Sequence, residues 1–141
     1  MNLANKNITP NKIENTYQIR VRYADTDKMA VVYNGNYARF FEIGRTELMR
    51  SFGLPYAEVE ERGFQLPLID IYIKYLKPAK YDDLIDIYAI LEMESSAVLK
   101  FNYELKVGND IITTGWTRHI FINAETLKPT RPPKFFLDLI N

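Results

Sequence analysis

The chain contains no cysteine and a single histidine, His119. Without a thiol there is no disulfide framework, no thiolate nucleophile and no sulfur ligand for a metal. One imidazole with no cysteine beside it leaves zinc without a plausible ligand set, so no metal and no cofactor is expected. Charge of one sign is also missing: 18 Lys and Arg balance 18 Asp and Glu. That balance gives no electrostatic footprint for nucleic acid or an anionic membrane. No apolar run approaches the ~20 residues that a membrane span requires. Residues 1–15 are polar and Asn-rich, without the apolar stretch of a signal peptide. A soluble, cytoplasmic protein is the resulting expectation. The serines are Ser51, Ser95 and Ser96, and none sits in a Gly-x-Ser-x-Gly elbow, which argues against a serine hydrolase.

What the chain does have is apolar and aromatic content, 47% and 13% of 141 residues, enough for one domain with a real core. Residues 1–15 read as a flexible tail and residues 16–141 as the domain. Tyr17, Ile19, Val21 and Tyr23 alternate with polar neighbours, the period of a half-buried strand. From about Asn36 to Phe52, Tyr37, Phe40, Phe41, Gly44, Leu48 and Phe52 fall on one helical stripe. Asn34 or Asn36 is the expected cap, and Gly53 followed by Pro55 stops the helix. Gly44, on that stripe, implies that another backbone packs closely against it. A short acidic helix is expected from Pro55 to Glu61.

Three cleanly alternating strands follow, over Ile69–Leu76, Ile85–Met93 and Leu99–Val107. A fourth, Ile111–Ile122, has a mixed pattern, with Gly115 as a candidate bulge and Gly108-Asn109-Asp110 as the preceding turn. Their connections are too short for crossover helices, so the pairing is antiparallel. The fold class is α+β: a sheet of about five strands covered by one long helix. Phe135 to Ile140 reads as a closing helical turn.

Chemistry concentrates between the first strand and the long helix, over residues 23–37. A carboxylate just before a helix N-terminus sits beside backbone N–H groups and the positive end of the helix dipole. That pairing can hydrolyse an ester or thioester without histidine, cysteine or metal. On spacing alone, Asp25 and Asp27 are more often turn or cap residues than catalytic ones. A calcium loop is excluded, because Met29, Ala30 and Asn36 occupy positions that need a ligand, a glycine and a glutamate. Tyr33, Tyr37, Phe40 and Phe41 read mainly as core, with Tyr33 also able to line a pocket. His119 reads as a core or surface imidazole.

The spaced residues Arg20-Val21, Thr26-Asp27, Ala30-Val31-Val32-Tyr33, Tyr37, Phe41-Glu42 and Arg45 resemble the signature of the hotdog-fold acyl-CoA thioesterases. The branch is that of 4-hydroxybenzoyl-CoA thioesterase and the Tol-Pal-linked acyl-CoA thioesterases. Tyr75, Pro78 and Asp83 resemble that branch's strand exit. The resemblance implies the hotdog fold, hydrolysis of an acyl or aryl thioester of CoA or acyl carrier protein, and a homodimer or homotetramer with the site between subunits. It implies Asp27 as nucleophile or general base and the helix N-terminus near Asn34 as the oxyanion site. Tyr33, Gly35, Tyr37 and Phe41 are the implied substrate-binding residues. Two positions depart from the family pattern: Ala30 replaces the usual glycine, and Asn34 stands where one branch has histidine. A non-catalytic acyl-CoA-binding protein is the alternative. A hotdog dehydratase would need a histidine near the helix start, and none is there.

Overall fold

The structure, a computed structural model, describes residues 13–141. Strand β1 (Ile13–Arg20) leads through a short 3-10 turn (Tyr23–Asp25) to helix α1 (Asn36–Ser51) and helix α2 (Tyr56–Glu61). Strands β2 (Phe64–Gln65), β3 (Leu68–Tyr75), β4 (Leu84–Met93), β5 (Val98–Val107), β6 (Asp110–Asn123) and β7 (Pro129–Thr130) follow, and α3 (Lys134–Ile140) closes the chain. β1 starts at Ile13, so residues 13–15, expected in the tail, are strand; residues 1–12 lie outside the described residues. The strand also ends earlier than expected. Asp25 accepts the Arg22 N–H at 2.8 Å, which curls residues 22–25 out of the extended path.

The sheet has seven strands among the described residues, two more than the five or so expected. The additions are the two-residue β2 and β7, too short to carry a readable period. The order runs β1-β4-β5-β6-β2, with β3 and β7 also paired to β6, and every pairing is antiparallel. The clean alternation of β4 and β5 becomes one buried face: Ile85, Ile87, Ala89 and Leu91 beside Leu99, Phe101, Tyr103 and Leu105. Helix α1 lies on that face through Tyr37, Phe40, Phe41, Gly44, Leu48 and Met49. A Cβ on Gly44 would meet the Ile87 Cγ2 at 2.6 Å. The close neighbour inferred at Gly44 is therefore a side chain and not a backbone.

β6 explains its own mixed pattern. Its inward face carries Thr113, Gly115, Thr117 and His119, and a register shift against β5 buries Ile112 beside Thr113. Gly115 is not the bulge expected there; it pairs in regular register with Ile73 and Tyr103. Its hydrogen atom faces the edge of the Phe41 ring, where a Cβ would come within 2.8 Å. Glycine thus lets the helix sit down on the sheet.

Candidate functional site

Residues 21–37 are tied to the end of β3 and the start of β4 by main-chain bonds. The Val21 N–H donates to the Asp83 carbonyl at 2.8 Å, and the Val32 N–H to the Ala79 carbonyl at 2.8 Å. Asp25 is the hub of the loop. Its buried carboxylate accepts the Arg22 N–H and pairs with the Arg39 guanidinium. Its carbonyl accepts the Tyr33 N–H at 3.0 Å and the Asn36 Nδ2 at 2.8 Å. Every polar handle of Asp25 is used to fold the loop onto α1, so it is structural.

Asp27 differs in kind. It is exposed, its Oδ1 accepts the Met29 N–H at 2.8 Å, and its Oδ2 has no partner among the described residues. Around it the chain makes a tight turn: the Ala30 N–H donates to the Asp27 carbonyl at 3.0 Å and the Asp27 N–H to the Val31 carbonyl at 2.9 Å. Ala30 closes this turn with φ of 63°, the left-handed region that favours glycine. The turn that a glycine would make is therefore retained with alanine, at a cost of about 1–2 kcal/mol. Ala30→Gly is expected to raise stability by about 0.5–1 kcal/mol, because glycine's greater unfolded-state freedom takes back part of the relief. Urea unfolding measures this, and a loss of stability would contradict the strain.

Nine residues beyond Asp27, at Asn36, helix α1 begins. Its N-cap is Gly35, with no side-chain cap bond. The expected asparagine cap is absent because Asn36 points its amide at the Asp25 carbonyl. The Asn36 N–H donates to the Tyr33 carbonyl at 2.9 Å and the Tyr37 N–H to the Asn34 carbonyl at 3.3 Å. Among the described residues the Asn34 and Gly35 N–H groups have no partner, and both residues are exposed. The Tyr33 ring lies across Gly35, where a Cβ would meet its Cε2 at 2.6 Å.

Two open grooves flank these groups. Asp27 lines one with Tyr23, Thr26, Lys28, Ala30 and Tyr81. Asn34 lines the other with Val32, Tyr37, Tyr75, Lys77 and Pro78. Within one chain the two sets are neighbours but do not share a concavity. Tyr37 is 2% exposed, and burial pushes its hydroxyl above the usual range, so it stays neutral at the groove floor. Phe41, expected to bind substrate, has no exposed surface. It stacks on Tyr103 with ring centroids 4.1 Å apart and belongs to the core. Spacing could not separate it from Tyr37, because both lie on the same helical stripe. Tyr75 was legible only as a strand exit, yet its hydroxyl donates to the Asn34 carbonyl at 3.1 Å.

His119 is part of a buried polar chain away from this loop. Its Nδ1 lies 3.2 Å from the Leu66 carbonyl, which can only accept, so the proton is on Nδ1. Nε2 then accepts from Thr117 at 2.9 Å, and Thr117 from Tyr103 at 2.7 Å. Burial, and then the Arg45 charge, bring its pKa down to about 4. It is a neutral core imidazole. Among the described residues no cluster of acidic, histidine or cysteine side chains is arranged to hold a metal, and no helix is long and apolar enough to cross a membrane.

Comparison with known proteins bears on this arrangement. Residues 21–140 match the family model of the Thioesterase-like superfamily. A Bacillus subtilis protein named "Putative acyl-CoA thioesterase YneP" is 32% identical over 122 residues, covering 86% of this chain and 88% of that protein. The acyl-CoA thioesterase YbgC of Haemophilus influenzae is 28% identical over 84% of this chain and 88% of its own. The crystal structure of a DHNA-CoA thioesterase from Staphylococcus aureus matches with a TM-score of 0.83 and 34% identity, over 89% of this chain and 85% of that one. The chain belongs to the thioesterase-like superfamily and has its hotdog fold, the sheet wrapped on one long helix. At that level it is a thioester hydrolase of the acyl-CoA thioesterase kind.

Proposed function

We propose that this protein hydrolyses an acyl or aryl thioester of CoA, with Asp27 as the reacting carboxylate and the free N–H groups at the start of α1 as the oxyanion site. One observation carries the reading. A carboxylate with an unpartnered oxygen stands nine residues before a helix start at which, among the described residues, the Asn34 and Gly35 N–H groups are uncommitted. Either Asp27 activates a water, or it attacks the carbonyl itself. The C–S bond breaks, a C–O bond forms, and CoA departs as thiolate before taking up a proton. A thiol pKa of about 8.5 makes that departure easy without a strong general acid. The helix dipole and the two N–H groups stabilise the oxyanion. The relatives' names, acyl-CoA and DHNA-CoA thioesterase, support CoA as the carrier.

Single-turnover hydrolysis in 18O-labelled water tests the role of Asp27. Label in the Asp27 carboxylate means an acyl-enzyme, and label only in the released acid means that water attacks the acyl carbon. Label in the acid at an undiminished rate in Asp27→Ala would refute both.

The working unit in this reading is a homodimer. One edge of β3 pairs with β6; its other edge has no partner among the described residues. Leu68, Ile69, Ile71, Tyr72 and Tyr75 of the same strand are 38–50% exposed. A long apolar edge strand left open is an aggregation hazard, and a second copy covers it. The groove at Asp27 and the groove at Asn34 then become parts of one site assembled across two chains. Light scattering should give twice the 16.5 kDa chain mass or a multiple of it; a monomer would contradict this.

A further inference from the structure

We propose that Tyr75 is a positioning residue for the oxyanion site, fixing the direction in which the Gly35 N–H points. The inference rests on the reading of the helix start given above and adds a residue from a different element, the end of β3. Asn34 C=O and Gly35 N–H belong to one peptide unit. A trans peptide is planar, and its C=O and N–H point in opposite directions. Whatever holds the Asn34 carbonyl therefore aims the Gly35 N–H. The Tyr75 hydroxyl donates to that carbonyl at 3.1 Å, so the Gly35 N–H points away from Tyr75.

The helix alone holds this peptide weakly. The Tyr37 N–H reaches the Asn34 carbonyl at a long 3.3 Å, and Gly35 has no side-chain cap. A glycine also resists rotation of its own peptide less than any other residue. Two features make Tyr75 a firm second anchor. Its ring meets Tyr37 edge-on with centroids 5.3 Å apart, and Tyr37 is buried. A donor on the carbonyl also polarises the whole amide, strengthening the N–H on its far side.

Tyr75→Phe removes one hydroxyl and keeps the ring contact. The expected result is a kcat about tenfold lower, less than the 10²–10³-fold lost when an oxyanion donor itself is removed. KM should stay within twofold and the melting temperature should not move. A purely structural hydroxyl would not split kcat from KM in this way.

The decisive readout is the infrared carbonyl stretch of a bound, 13C-carbonyl-labelled thioester. The probe is benzoyl-CoA or hexanoyl-CoA, whichever the wild type hydrolyses faster, bound to the inactive Asp27→Asn protein. Polarisation at the helix start lowers the stretch frequency relative to the free thioester. Adding Tyr75→Phe should reverse part of that shift. A full shift that survives Tyr75→Phe, or an unchanged kcat, overturns the role of Tyr75 alone. No shift in Asp27→Asn itself overturns the oxyanion reading beneath it.

Discussion

Asp27→Asn is expected to lower kcat/KM for acyl-CoA hydrolysis by about 10²–10⁴-fold, the usual contribution of a positioned acid–base group, with no loss of fold. The structural half of that expectation follows from how Asp27 is held. Its only side-chain bond among the described residues is Oδ1 accepting the Met29 N–H. An asparagine oxygen accepts the same bond, so the turn from Asp27 to Ala30 survives. The negative charge and the second carboxylate oxygen do not. Asp25→Asn should behave in the opposite way. It weakens the pairing with Arg39 in a buried setting, so it should lower stability and reduce activity only through the loop. Thermal unfolding and steady-state kinetics on both variants separate the roles. Comparable losses of stability would place Asp27 with Asp25 as a structural residue.

Gly115→Ala should give a large stability loss, about 3 kcal/mol or more, at the upper end for overpacking. The added Cβ would fall 2.1 Å from the Tyr72 carbonyl oxygen and 2.8 Å from the Phe41 ring. The first obstacle is backbone within the β3–β6 ladder and cannot rotate away. The second is clamped, because Phe41 is stacked on Tyr103 and buried. Relief requires α1 to lift from the sheet or β3 to part from β6. Either movement disturbs the helix whose N-terminus carries the oxyanion site. Against a typical total of 5–15 kcal/mol, the expected fall in melting temperature is about 10 °C. An unchanged melting temperature would mean that α1 does not rest on β6 at this point.

The parts of the fold that sequence exposes are those with one clean period. α1 runs Asn36–Ser51 against an expected Asn36–Phe52, because its apolar stripe ends in glycine and proline. β4 and β5 alternate cleanly because every inward position is apolar or aromatic. β6 resists reading because its inward face is built from threonine, glycine and histidine, with Thr117 and His119 joined to Tyr103 in a hydrogen-bonded chain inside the core. β1 begins earlier than its visible alternation, at Ile13, because Glu14 and Asn15 give no apolar signal on a sheet edge. Ile69 and Ile71 alternate like a buried face yet remain exposed in the single chain, which a homodimer would account for.

At the site, spacing offered two aspartates as equals, and packing distinguishes them. Arg39, fourteen residues after Asp25, engages one carboxylate and leaves the other open. No local pattern encodes that choice. The left-handed turn at Ala30 was legible only as a family glycine position occupied by alanine, and φ of 63° there shows that the turn is kept. Tyr75 lies 41 residues from Asn34, so only the fold could bring the two together.

The most direct test of the account is thiol release by the purified wild-type protein across a panel of aliphatic and aromatic acyl-CoA thioesters, with Asp27→Asn beside it. Catalytic release of CoA from at least one thioester is expected, with its near-complete loss in the variant. Tight acyl-CoA binding with no thiol release from any member of the panel would contradict it and make the protein an acyl-CoA binder instead.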